Sequence, residues 1–300
     1  MRVVHMTDVH FFVPPSVAGA MSKRALGLAN LYVGGRLSYF DAAALVREAV
    51  ADAIDFNPDL FVMTGDMTAM SSPHEFAAAR AAFAPLLENV PSIVIPGNHD
   101  RYTRRAVRER RMEQYFGPWM SGGTWDAASG GWIDGSGGLP TRFRLGDTDL
   151  IATDPCRAHL RSTGRYASGA IAEAEALVVE SRAAGQQVVY LMHYPPLWPD
   201  GRPYDRPGHG LADVDDVLES FDRAPPDLVL HGHKHECWRA DRGPTVVLNC
   251  GTTSARSPLE DRAAGYYVIE LKDEKVREVR RRILKEGSKS WEDHPSTFGT

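Results

Sequence analysis

The stretch Ser92-Ile93-Val94-Ile95-Pro96-Gly97-Asn98-His99-Asp100 decides how this chain is read. Its β-branched first half is a short buried strand, Pro96-Gly97 breaks it, and three polar side chains then stand at the carboxyl end of that strand. The pattern recurs upstream. Val3 to Thr7 reads as a strand leading into Asp8-Val9-His10, and Leu60 to Met63 as a strand leading into Thr64-Gly65-Asp66. Between them, Asp41 to Ile54 has the spacing of a helix capped by Asp41, and Pro73 opens an alanine-rich helix that runs to about Leu87. Strand, helix, strand, helix, strand predicts parallel strands with crossover helices.

The second half continues the rhythm with a more antiparallel character. Arg142 to Leu145, a Gly146-Asp147 turn and Asp149 to Ala152 read as a hairpin, and a helix over 168–184 ends at Gly185. Val188 to Met192 leads into His193, and Asp227 to Leu230 leads into His231-Gly232-His233-Lys234-His235. Thr245 to Leu248, Tyr266 to Leu271 and Val276 to Ile283 close the fold as strands. Residues 11–40 and the Gly/Trp-rich run 117–140 fit no simple element and are expected as long loops near the site. A single domain is expected over 1–286, followed by a polar, frayed tail at 287–300.

Composition narrows the function classes. The 300 residues carry a net charge of −5, and no basic stripe stands out, so no dedicated nucleic-acid binding is expected. Three cysteines, Cys156, Cys237 and Cys250, are odd in number and lack metal-site spacing, which predicts reduced thiols and a cytoplasmic location. The start of the sequence has no signal-peptide core, and no apolar run is long enough for a transmembrane segment.

The polar residues at the strand ends carry the chemistry. Asp8 with His10, and His233 with His235, are each two apart, so extended backbone would turn both members of a pair to one side. Any one of these histidines alone would be read as structural. Together, Asp8, His10, Asp66, Asn98, His193, His233 and His235 all follow predicted strands, and sites in open α/β sheets form at those ends. The set is rich in imidazole and carboxylate and lacks thiolate, which suits Mn, Fe, Zn or Co. His99, beside Asn98, is a candidate general acid with Asp100 as its orienting partner. His5 reads as a core residue, His231 as the residue that ends its strand and shapes the loop, and His74, His159, His209 and His294 as surface or loop residues.

The ordered set Asp8-x-His10, Gly65-Asp66, Gly97-Asn98-His99-Asp100, His193 and Gly232-His233-x-His235 resembles the calcineurin-like metallophosphoesterase superfamily, and most resembles its bacterial class III cyclic-nucleotide phosphodiesterase-like members. The resemblance implies an α/β four-layer sandwich of two mixed sheets between helices, with a dinuclear metal site at the strand ends. It implies that Asp8, His10, Asp66 and His235 hold one ion, and that Asp66, Asn98, His193 and His233 hold the other. Asp66 is then the bridge. The implied activity is hydrolysis of small phosphodiesters, cyclic nucleotides among them, by in-line attack of a metal-bridging hydroxide. A phosphomonoesterase, a nuclease and a catalytically silent scaffold are the competing readings, and oligomeric state is left open.

Overall fold

A computed structural model describes residues 1–14, 41–159, 161–273, 275–284 and 290–294 of the chain. The first half alternates as β1 (Arg2–Met6), α1 (Ala42–Asp55), β2 (Leu60–Met63), α2 (Pro73–Leu87) and β3 (Ser92–Val94). Two short helices, α3 (Arg104–Arg108) and α4 (Arg111–Phe116), lead into β4 (Gly123–Asp126), β5 (Gly131–Ile133), β6 (Thr141–Leu145) and β7 (Thr148–Ala152). Then come α5 (Ala170–Ala183), β8 (Gln187–Leu191), α6 (Val214–Arg223) and β9 (Leu228–His231). The remaining strands are β10 (Cys237–Arg242), β11 (Thr245–Cys250), β12 (Gly265–Lys272), β13 (Lys275–Leu284) and β14 (Trp291–Asp293).

The strands form two mixed sheets, ordered β14-β13-β12-β1-β2-β3 and β10-β11-β9-β8-β7-β6-β4-β5. The parallel neighbours are β1, β2 and β3 in one sheet, and β7, β8, β9 and β11, together with the pair β4 and β6, in the other. Side-chain alternation separates the two faces of the larger sheet. Leu150, Ala152, Val189, Leu191, Leu228, Leu230 and Leu248 join the core shared with the first sheet and with α1 and α2. Their sequence neighbours Ile151, Val188, Tyr190, Val229 and Val247 pack instead with Ala174 and Val178 of α5 and Val217 and Phe221 of α6. The result is the expected helix–sheet–sheet–helix stack.

Helix entries differ in how they are secured. At α2, Ser72 accepts from the Glu75 amide while Glu75 accepts from the Ser72 amide, a full capping box with Pro73 in the first turn. At α1, Asp41 occupies the N-cap position but its side chain makes no cap bond. Its carboxylate pairs with Arg256 instead, 2.9 Å away, which corrects the expectation of an Asp41 cap.

Three more expectations change. The run 117–140 is not one long loop, because it holds β4 and β5, which extend the larger sheet. Its tryptophans also pack far from the strand carboxyl ends. The Trp132 ring N–H donates to the Ser92 carbonyl at the start of β3, 2.8 Å away, and Trp119 donates to Leu87 O at the end of α2. Within the expected frayed tail, Trp291–Asp293 pairs with β13, its indole buried against Tyr266. Strand β10 escapes sequence reading because it is an edge strand, with charged Arg239 and Asp241 alternating with buried Trp238 and Ala240. Most of the expected loop 11–40 lies outside the described residues. At its beginning, Phe11 bridges to Thr68.

Candidate metal centre

Strand β1 ends at Met6, and the next residues are held by main-chain bonds rather than by the sheet. The Asp8 amide donates to Gly65 O at 3.0 Å and the His10 amide to Asp66 O at 3.0 Å, locking the turn after β1 to the turn after β2. Extended backbone is not what brings the paired residues together. Asp8, His10, Asp66, His233 and His235 all adopt positive φ, between 50° and 75°. That conformation is uncommon for non-glycine residues, so the fold holds these turns under local strain. Glycines permit the close approach of neighbouring turns. A Cβ on Gly232 would lie 2.1 Å from Thr7 Oγ1 and 2.2 Å from Asp8 Oδ2, and one on Gly97 would lie 2.1 Å from Asp66 Oδ1.

The seven candidate ligands converge as two groups that meet at Asp66. In the first, Asp8 Oδ1 lies 3.2 Å from His235 Nε2 and 3.6 Å from His10 Nε2, and the two imidazole nitrogens are 2.9 Å apart. Asp66 Oδ2 is 3.9 Å from His10 Nε2. In the second, the same Oδ2 lies 3.4 Å from His193 Nε2, and Asn98 Oδ1 lies 3.1 Å from His193 Nε2 and 2.8 Å from His233 Nδ1. Ligands about 2.0–2.2 Å from a shared ion stand roughly this far from one another. Buried Asp8 Oδ1 makes no hydrogen bond, while Oδ2 of the same carboxylate accepts from the Thr7 hydroxyl and the His233 amide. An unpartnered carboxylate oxygen facing two imidazole nitrogens fits a cation.

The outer contacts fix tautomers. The His193 Nδ1–H donates to Thr64 O at 2.8 Å, leaving Nε2 for the site. The His233 Nε2–H donates to the His209 carbonyl at 2.8 Å, leaving Nδ1. Burial opposes ionisation of Asp8, yet the facing imidazoles of His10 and His235 outweigh it and hold the carboxyl well below the usual range. Asp66 is also held low, because the neighbouring histidine charges, His193 first, overcome its burial. Burial works to lower His193, but Asp66 prevails and raises it to about 9. Burial keeps His10 and His233 below the ordinary imidazole value, the neutral state in which imidazole binds metal.

His99 lies at the rim. A ring nitrogen sits within 4.8 Å of ligand atoms of His10 and Asp66, its ring meets His10 edge-on at 4.8 Å, and Tyr102 stacks on it at 5.4 Å. Its orienting partner is Ala69, whose carbonyl accepts from Nδ1 at 2.6 Å. The expected partner, Asp100, is engaged elsewhere. Its carboxylate accepts from the amides of Gly97, Met67 and Thr68 and from the Thr68 hydroxyl, so it ties the turn after β3 to the turn after β2. Burial and the Asp66 charge raise Asp100 to about 7 despite those donors. Catalytic assignment of Asp100 is therefore replaced by a structural one.

Other histidines fall mainly as expected. His5 and His231 are fully buried, and burial lowers both to about 3. His209, read as a loop residue, lies in a loop but touches the centre through its carbonyl and through Nδ1, 3.2 Å from His233 Nε2. Its only sequence signal is two flanking glycines between His193 and His233. The Arg101 guanidinium, two residues after His99, is held by Asp154 and Glu113 at 3.0 and 2.7 Å.

With this geometry in view, the family match is informative. The model of calcineurin-like phosphoesterases matches residues 1–237, which contain all the candidate ligands. The chain belongs to the calcineurin-like phosphoesterase family. Two curated relatives from Synechococcus are each described as a probable cyclic nucleotide phosphodiesterase. One is 23% identical, covering 90% of this chain and 88% of the relative; the other is 26% identical, covering 73% and 76%. Among solved structures, a dimetal phosphatase from Danio rerio aligns with TM-score 0.59 at 13% identity over 93% of this chain and 94% of that one. A purple acid phosphatase from yellow lupin (Lupinus luteus) seeds aligns with TM-score 0.58 at 12% identity over 97% of this chain and 52% of that one. Those two structures share the calcineurin-like fold of this chain. Among the described residues no helix is long and apolar enough to cross a membrane.

Proposed function

We propose that this calcineurin-like phosphoesterase is a dinuclear metal-dependent hydrolase of small phosphodiesters, with cyclic nucleotides as the first candidates. The observation that carries the reading is the pair of ligand groups joined at Asp66 Oδ2. Asp8, His10 and His235 with Asp66 would hold one ion, and His193, His233 and Asn98 with Asp66 the other. Two cations held there would supply a nucleophilic water and Lewis acidity for displacement at phosphorus. The surrounding side chains prepare that chemistry. Asn98 contributes a neutral oxygen, so two carboxylates face two divalent charges and the site stays attractive to an anion. His99, with Nδ1–H committed to Ala69, directs Nε2 away from that bond, where as an imidazolium it protonates the leaving oxygen.

A monoanionic diester suits the rim better than a dianionic monoester. Arg101, the guanidinium closest in sequence to His99, is taken by two carboxylates and offers no bidentate grip on a terminal phosphate. The two Synechococcus relatives, each described as a probable cyclic nucleotide phosphodiesterase, support the same substrate class. The test is hydrolysis of bis(p-nitrophenyl) phosphate and p-nitrophenyl phosphate by chelator-treated protein, with Mn restored stepwise. Metal-dependent turnover favouring the diester is expected. Preference for the monoester would overturn the substrate class, and two bound metals without turnover of either ester would favour a scaffold.

A further inference from the structure

We propose that Cys237 and Cys250 form a reversible cross-strand disulfide that fastens the histidine-bearing turn before β10 to β11. Cys237 is the first residue of β10 and Cys250 the last of β11, and the ladder pairs them directly. Directly opposed residues of an antiparallel pair have Cα atoms about 4.5 or about 5.5 Å apart, and both separations lie inside the roughly 4.4–6.8 Å that a disulfide spans. Opposed side chains also share a face of the sheet. Cys250 is completely buried, its thiol donating to His5 O at 3.3 Å, while Cys237 is partly exposed. Cys237 follows His235 by two residues, so the new bond closes the open end of the β10–β11 ladder just where the candidate ligands leave it.

The exposed thiol is the entry point, since Cys237 is open to solvent in part while Cys250 is enclosed and out of reach of an oxidant in solution. A hydroperoxide oxidises Cys237 to the sulfenic acid and is itself reduced to the alcohol, or to water when it is hydrogen peroxide. The Cys250 sulfur then attacks the sulfenic sulfur, an S–S bond forms, and the hydroxyl leaves with the Cys250 proton as water. Two thiols lose two hydrogens in all. A dithiol reductant reverses the step. The proposal depends on strand register alone and stands whether or not the hydrolase reading does.

The experiment treats reduced full-length protein with stoichiometric hydrogen peroxide, then alkylates under denaturing conditions and maps peptides by mass. The expected result is coupled loss of labelling at Cys237 and Cys250, a linked peptide lighter by two hydrogens, and recovery of both with dithiothreitol. Cys156, whose thiol donates to Pro96 O on a different segment, should remain labelled. In Cys250→Ser, Cys237 should instead accumulate as sulfenic or sulfinic acid. Should that variant not fold, wild-type mapping decides alone. Full labelling of both residues after peroxide, or Cys237 oxidised in wild type with Cys250 still labelled, would overturn the proposal.

Discussion

Two parts of this molecule lie outside obvious sequence periodicity, and they serve opposite ends of the fold. The turns after β1, β2 and β9 are short and carry left-handed non-glycine residues, and the buried carboxylates of the first two, Asp8 and Asp66, accept from amides of neighbouring turns. The run 117–140 is longer and more aromatic, yet it builds strands. Trp125 and Trp132 meet edge-on at 5.2 Å, Trp132 lies on Phe143 at 4.9 Å, and indole N–H groups satisfy carbonyls near α2 and the start of β3. The comparison teaches that an unassigned length of chain says little about where function sits. Polar side chains gathered after strand ends say much more.

Substitutions can sharpen the contrast. His99→Ala should keep both metals and lose roughly 10²–10⁴-fold in turnover of poor leaving groups, with a smaller loss on p-nitrophenolate esters. Equal loss on both kinds of ester would remove the acid role. Gly232→Ala should lower kcat/KM on the order of 10²-fold, because the new methyl displaces Asp8, while circular dichroism stays native. Near-normal activity in that variant would mean the turns are not as tightly locked as their contacts indicate. Trp132→Ala should do the reverse, costing about 3 kcal/mol of stability in a denaturant titration and leaving kcat unchanged. A collapse of kcat at constant stability would return this segment to the site. The smallest effects separate the two helix entries: Ser72→Ala should cost about 1 kcal/mol, and Asp41→Ala under about 0.5 kcal/mol. Equal costs would restore Asp41 as a true cap.

Much of this was legible because it depends on local rules. Apolar runs followed by Asp-x-His, Gly-Asp, Gly-Asn-His, a lone His and Gly-His-x-His placed β1, β2, β3, β8 and β9 with their polar ends, and Gly185, at a positive φ of 71°, closed α5 as its position suggests. All seven candidate ligands converge. What escaped depends on tertiary pairing. Asp100 lies next to His99 in sequence, but backbone amides of another turn claim its carboxylate, and a main-chain carbonyl, invisible in a residue code, orients His99 instead. His209 reaches the centre by the same anonymous route. The convergence of Asp8 with His10 was foreseen for the wrong reason, since left-handed turns and not strand alternation aim them. Strands β4, β5 and β10 are short or charged edge elements whose signal lies in their partners.

The central claim is that one carboxylate joins two cation sites. Its most direct test is metal content after equilibrium dialysis against Mn, measured on wild type and on Asp66→Ala with the native fold checked by circular dichroism. Wild type should saturate at two ions per chain, and the variant should lose affinity at both sites together. Saturation of wild type at one ion, or two ions retained in the variant with unchanged affinity, would contradict the account.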